Sequence, residues 1–255
     1  MKGLGYRRAR GGALAKIPLL VGTGLALAGL AATAVYSRAA RRWCLTWGAS
    51  AEEATARLLG DELLADPDIK STRAVTVDAP PAAVWPWLVQ MGSGRGGAYT
   101  YDWIENLFGL GMHSAGEILP QFQHLAVGDL LPVGPNGPGM CVKILEPGRA
   151  LVFRSVDGNW VWAFHLRPAP AGTRLISRNR IATPDAAWPA RVVNRIVMEP
   201  GSLIMERRML LGIKERAERA RGSPAVGPKV PPGTASGPGE GIAPGPTVIG
   251  TSRDL

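Results

Sequence analysis

Cysteine and histidine are scarce in this chain. Its 255 residues hold two cysteines, Cys44 and Cys141, in separate segments and without a CxxC partner. That argues against a disulfide scaffold and against a thiolate zinc site. Both read as unrelated thiols, with Cys141 packed in a strand. The three histidines, His113, His124 and His165, lack the i, i+4 spacing of a helical metal pair. No metal and no cofactor is expected. Acidic residues are missing altogether from residues 1–42, which carry eight Lys and Arg. Eight of the nine net positive charges therefore sit there, and residues 43–255, with 21 bases and 20 acids, are nearly neutral. The balance argues against nucleic acid as a partner. A hydrophobic content of 46% with 19% charged residues excludes a wholly disordered chain.

What the N-terminus has is a run of 20 uncharged residues, 17–36. A helix of that length covers ~30 Å, the hydrocarbon core of a bilayer. Lys16 precedes it, Arg38, Arg41 and Arg42 follow it, and Tyr36 and Trp43 suit the interface. The run reads as one transmembrane helix, making the protein a single-pass membrane protein. Five bases before it and three just after lean towards a cytoplasmic N-terminus and an external domain. A second reading is a cleaved secretory signal, since Ala32-Thr33-Ala34 fits the small-x-small pattern, although the arginines beyond it resemble a stop-transfer flank.

Residues 222–255 hold 8 Gly and 7 Pro among 34 residues and few large apolar side chains. Such a segment buries too little surface to offset its ordering entropy, and is expected to be a disordered tail. Between anchor and tail lies one domain, 45–221. Ser50 and Glu53 have capping-box spacing, which predicts a helix over 51–59 ending at Gly60. Alternation predicts a strand over 73–78. Pro80 and Pro81 then open a helix carrying Val84, Trp85, Leu88 and Val89. A glycine loop at 92–97 and a short helix at 102–108 follow. Strands are predicted at 128–132, 140–146, 150–154, 160–167 and 173–181, separated by turn residues in hairpin-length gaps, as in an antiparallel meander. A helical segment at 187–197, interrupted near 199–201, leads into a terminal helix whose Leu203, Leu210, Ile213 and Ala217 share one face. The fold class is α+β, a curved antiparallel sheet wrapped around a long C-terminal helix.

This order resembles the START-like, helix-grip superfamily that includes polyketide cyclases/dehydratases and lipid-transfer proteins (the SRPBCC group). The words WGAS, GDELL, DAPPAAVWPWLVQMG, GRGGAYTYDW, LAVGD and MEPGSLIMERRMLLGIKERAE are similar to an actinobacterial-type branch of it. The resemblance covers about 45–221 and implies a cavity between sheet and long helix that holds an apolar or amphipathic ligand. It supplies no catalytic set.

Gly92-Ser93-Gly94-Arg95-Gly96-Gly97 matches GxGxxG, but it follows a helix instead of a strand, so it reads as a tight connector whose Arg95 could line the cavity mouth. Tyr99, Tyr101, Asp102, Trp103 and His113 cluster around the second helix and suit either a ligand cavity or a core with satisfied hydroxyls. Asp102 and His113 are the first groups to test for acid–base chemistry. Strand parity puts Trp160, Trp162 and Phe164 inward with Leu166, and His165 on the other side, exposed. The same rule puts Ser177 and Asn179 inward, on a ligand or cavity water, with Arg174, Arg178 and Arg180 outward. Glu206 falls on the apolar stripe of the last helix beside Met205 and Met209; it either pairs with an arginine or is a pocket acid. With Trp85, these residues form the expected ligand cavity. Residues 43–129 carry a net −7 and residues 143–221 a net +8, the latter a solvated helix face or one that leans on anionic lipid. Three functions stand open: a membrane-anchored binding or carrier protein for a hydrophobic small molecule or lipid, a cyclase/dehydratase-type enzyme, and a ligand-free interaction module.

Overall fold

The computed structural model describes residues 38–132, 134, 139–184 and 186–222; the apolar run at 17–36 and the tail from residue 223 lie outside the described residues. Helix α1 (Arg38–Leu45) and helix α2 (Ala51–Thr55) come first, then a 3-10 turn at Asp61–Leu64. Strand β1 (Ile69–Val77) leads into α3 (Pro81–Val89) and α4 (Asp102–Leu107). The meander follows as β2 (Leu130–Pro132), β3 (Gly139–Glu146), β4 (Ala150–Ser155), β5 (Trp160–Ala169) and β6 (Gly172–Ile181). Helix α5 (Trp188–Val193) runs through a π-helical turn, Asn194–Met198, into α6 (Glu199–Gly222). Among the described residues no helix is long and apolar enough to cross a membrane.

The six strands form one antiparallel sheet in the order β1-β6-β5-β4-β3-β2. Sequential hairpins build five strands, and β1 closes on β6, pairing Ile69 with Ile181 and Val77 with Thr173. A register shift between Val142 and Ile144 bends β3 and curls the sheet's far edge. The inner face packs on α3 and α6 through a core that includes Val75, Val142, Leu151, Phe164, Leu175, Met209, Leu210 and Ile213. A curved antiparallel sheet gripping a long C-terminal helix is the helix-grip architecture expected from the sequence.

Three expectations change. Helix α2 ends at Thr55, not at 59: Ala56 is extended, and Arg178 draws the carbonyls of Glu53 and Ala56 to its guanidinium at 2.7 Å each. The capping box itself forms, with Ser50 Oγ accepting from Glu53 N at 3.0 Å and Glu53 Oε2 accepting from Ser50 N at 2.8 Å. No break occurs near 199–201: the helix runs on through the π turn, where Glu199 N donates to Asn194 O, and this wider turn immediately precedes Pro200, whose missing N–H an α ladder would have left as a gap. The outer face of the sheet is not a solvent face. Leu58 packs on Ala74 and Ile176, and Leu63 and Leu64 on Val152, Val161 and Ala163. That strap buries His165, which alternation had placed in solvent: it does point outward, but is only 6% exposed.

Candidate functional site

One cleft opens on the inner face where α6 does not reach. Its floor comes from strand parity: Met140 of β3, Phe153 of β4 and Trp162 of β5 are inward residues on neighbouring strands, with Leu131 and Pro132 of β2 at the edge. Met91, Gly92, Ala98 and Met112 form the opposite wall. The cleft is small, about 60 Å³, and open to solvent, and every lining residue is apolar or glycine. Three methionines give it adaptable walls, since an unbranched thioether repacks at small cost.

The glycine loop shapes the second wall. Gly92 and Gly97 pair back-to-back, Gly92 N donating to Gly97 O at 3.0 Å and Gly97 N to Gly92 O at 3.1 Å. Arg95 N donates to Gly92 O and Gly96 N to Gln90 O, so four of the loop's amides, those of Gly92, Arg95, Gly96 and Gly97, are spent on the loop itself. The GxGxxG match is therefore a structural connector. Gly97 has φ +72°, and a Cβ there would lie 2.6 Å from the His113 carbonyl oxygen. Arg95 folds under the loop, donating to the carbonyls of Met91 (3.2 Å), Val89 (3.1 Å) and Phe122 (3.2 Å), with its guanidinium over the Phe122 ring. It closes the end of α3 and anchors the 120–122 turn.

Tyr99, beside Ala98, is buried in a left-handed conformation, φ 58°. Its hydroxyl donates to Trp87 O at 2.9 Å, and burial pushes the phenol upward. Helix α4 braces the loop carrying Met112. Asp102 accepts from Ser114 N at 2.8 Å and Ser114 Oγ at 2.5 Å, and Asn106 exchanges hydrogen bonds with the Met112 backbone at 2.7 and 2.9 Å. Both Asp102 oxygens are thus committed to positioning, while His113 is exposed. Glu105 is buried there, and burial pushes its carboxyl up, with Asp102 adding to the effect and Thr100 opposing it.

The residues expected to bind ligand divide. Trp162 lines the cleft; Phe164 lies behind it in the core, 4.9 Å between ring centroids. Trp160 stacks on Trp162 at 5.7 Å. Trp162 Nε1 donates to Ser177 Oγ at 3.0 Å and Trp160 Nε1 to Asn179 Oδ1 at 2.8 Å. Asn179 Nδ2 then donates to Glu206, which pairs with Arg73. Ser177 and Asn179 do face inward, and the indole N–H groups and Glu206 occupy them. Trp85 is half-buried against the core and Met205 half-buried on α6, whereas Tyr101 is at the surface and Trp103 is exposed.

Met91, Ala98, Met112, Leu131, Met140 and Phe153 were not anticipated. Strand β4 reads ALVFRS, apolar on both faces because the strap covers its back, so alternation could not mark Phe153. Among the described residues no cluster of three His, Cys, Asp or Glu is arranged to hold a metal.

No family model matches the chain, and no curated protein matches it. Solved structures do. A polyketide-cyclase-like protein from Corynebacterium glutamicum is 17% identical over 60% of this chain and 93% of its own, with a TM-score of 0.38. An AHSA1-like protein from Aeromonas hydrophila is 18% identical over 60% and 94%, TM-score 0.33. A protein from Mesorhizobium loti is 17% identical over 59% and 98%, TM-score 0.37.

Proposed function

We propose that this protein is a membrane-anchored binding or carrier protein for a hydrophobic small molecule or the apolar part of a lipid. The cleft carries the reading: a concave, wholly apolar space between sheet and glycine loop, walled by Met91, Met112 and Met140 and floored by Trp162. Such a lining gains by removing apolar surface from water and offers an ionic ligand nothing. The resemblance to START-like proteins points the same way. The anchor reading of residues 17–36 adds a purpose, because a tether raises the effective concentration of a membrane-derived ligand at the cleft.

Cyclase or dehydratase chemistry has less support. Among the described residues the cleft presents no titratable side chain, Asp102 is held by Ser114, and His113 is exposed. A filled interaction module has less support too, since Trp103 points to solvent and leaves the cleft open.

Titration of the full chain with an apolar fluorophore, followed by native mass spectrometry of co-purifying molecules, tests the proposal. Ala98→Phe places a ring in the cleft. It is expected to weaken fluorophore binding at least about tenfold, about 1.4 kcal/mol, with an unchanged circular dichroism spectrum. Equal binding by both proteins would remove the cleft as the site.

A further inference from the structure

The helical stretch that follows the sheet exposes a row of large apolar side chains. Trp188, Val193, Val197, Met198 and Ile204 are each more than half exposed, and Val192 is 44% exposed. From Trp188 to Met205 the single carboxylate, Glu199, is buried and paired with Arg41 at 2.7 Å. Around this row stand the exposed bases Arg191, Arg195 and Arg207, with Arg38 and Arg42 on α1. The stretch itself carries no exposed acid, and although the exposed Asp68 lies beside Arg191, bases outnumber acids around it; apolar surface flanked by bases fits the boundary between headgroups and acyl chains.

Chain connectivity fixes where this row can be. Helix α1 docks on the same helix: Arg41 holds the Glu199 carboxylate, and Cys44 Sγ donates to Glu199 O at 3.3 Å. Arg41, Asp68, Ile69, Arg191, Asn194 and Arg195 border one groove. The charge-free run ends at Tyr36, two residues before α1. Whatever its path, the chain between that end and Arg41, two residues and one helical turn, spans at most about 12 Å. A domain tethered so closely cannot lift Val193, Val197 and Met198 far from the surface into which the run inserts.

We infer that the exposed face of Trp188–Ile204 lies on an anionic lipid surface, so that the domain is oriented against the membrane and does not hang free from its anchor. This rests on the reading of residues 17–36 as a membrane span. The end of the domain that meets lipid is the one at Ile69 and Ile181; the turn at Pro147–Arg149 is at the opposite end of the sheet.

The test places a benzophenone side chain at Val197, at Arg149 or at Leu27 of the full chain. Each variant is reconstituted in phosphatidylcholine vesicles with or without about 30% phosphatidylglycerol. After photolysis, adducts are identified by mass spectrometry. Lipid adducts at Val197 at least about fivefold above those at Arg149, and reduced without phosphatidylglycerol, support the inference. Adducts at Leu27 but not at Val197 overturn it and leave the anchor standing. Adducts at Val197 but not at Leu27 support the face and remove the anchor. Protein–protein adducts at Val197 overturn it by giving the face to a second copy of the chain.

Discussion

Arg73 on β1 and Glu206 on α6 form an ion pair across the inner face of the sheet, and neither has solvent to fall back on. Arg73 is fully buried, with its Nε donating to Cys44 O at 3.1 Å and its Nη2 to Ser202 Oγ at 3.0 Å. Glu206 takes Asn179 as well. One pair therefore joins α1, β1, β6 and α6 at the closed end of the grip. Removing either partner strands a charge in a site built for two, so Glu206→Ala and Arg73→Met should each cost about 3–5 kcal/mol, lowering the melting temperature by about 10 °C. The double variant Arg73→Met/Glu206→Leu should recover most of that loss. Single variants that melt like the native protein would show that the pair is not what holds α6.

Asp61 plays the corresponding part on the outer face. Its carboxylate meets Arg178 at 2.7 Å and Arg180 at 3.4 Å, and accepts from Leu58 N at 3.0 Å. Arg178 in turn holds the last carbonyls of α2. Asp61→Asn should cost about 2–4 kcal/mol and loosen the strap before the sheet. Hydrogen exchange should therefore rise at residues 49–68 while β5 and β6 stay protected. Uniform loss of protection would contradict this role.

The sheet and final helix were legible because their signals are periodic and local: all five meander strands fall within two residues of their expected bounds, and Glu206 was visible as a carboxylate on an apolar stripe. The strap was not. Its apolar residues, Leu58, Leu63 and Leu64, are too few and too irregularly spaced to announce a covering layer, so His165 and Arg178 were expected in solvent when alternation placed them only on the outer face. The division of charge had a physical meaning that position along the chain concealed. The acids Glu53 and Asp61 of the strap pair with Arg174, Arg178 and Arg180 of β6. A cavity was expected and Trp162 named for it, but the rest of its lining escaped notice because those residues are ordinary apolar side chains from four strands and two loops, distinguished only by the space left between them.

The buried His165 predicts a pH dependence. Burial, then Arg167 and Arg178, pushes its imidazole from the ordinary 6.5 down to about 4. Below pH 6.5 the unfolded chain binds a proton that the folded chain refuses. The stability associated with the neutral ring is complete above pH 6.5 and is lost as pH falls towards 4, by about 3 kcal/mol at most. His165→Leu removes the titrating group. The difference in urea midpoint between native and variant should therefore shift in favour of the variant from pH 7 to pH 4.5. A constant difference across that window would assign the dependence to other groups.

Gly212 should behave against helix propensity. In an ordinary helix interior Gly→Ala gains about 0.5–1 kcal/mol. Here a Cβ would lie 2.5 Å from Tyr99 O and 3.0 Å from Tyr99 Cβ. Tyr99 cannot readily withdraw, because its backbone is already left-handed and its hydroxyl is tied to Trp87. Gly212→Ala should therefore destabilise by about 1–3 kcal/mol. The displaced Ala98–Tyr99 segment is a wall of the cleft, so fluorophore binding should weaken in the same variant. A stabilised Gly212→Ala would mean that helix and loop are further apart than described. A destabilised variant with unchanged binding would separate the cleft from the helix that supports it.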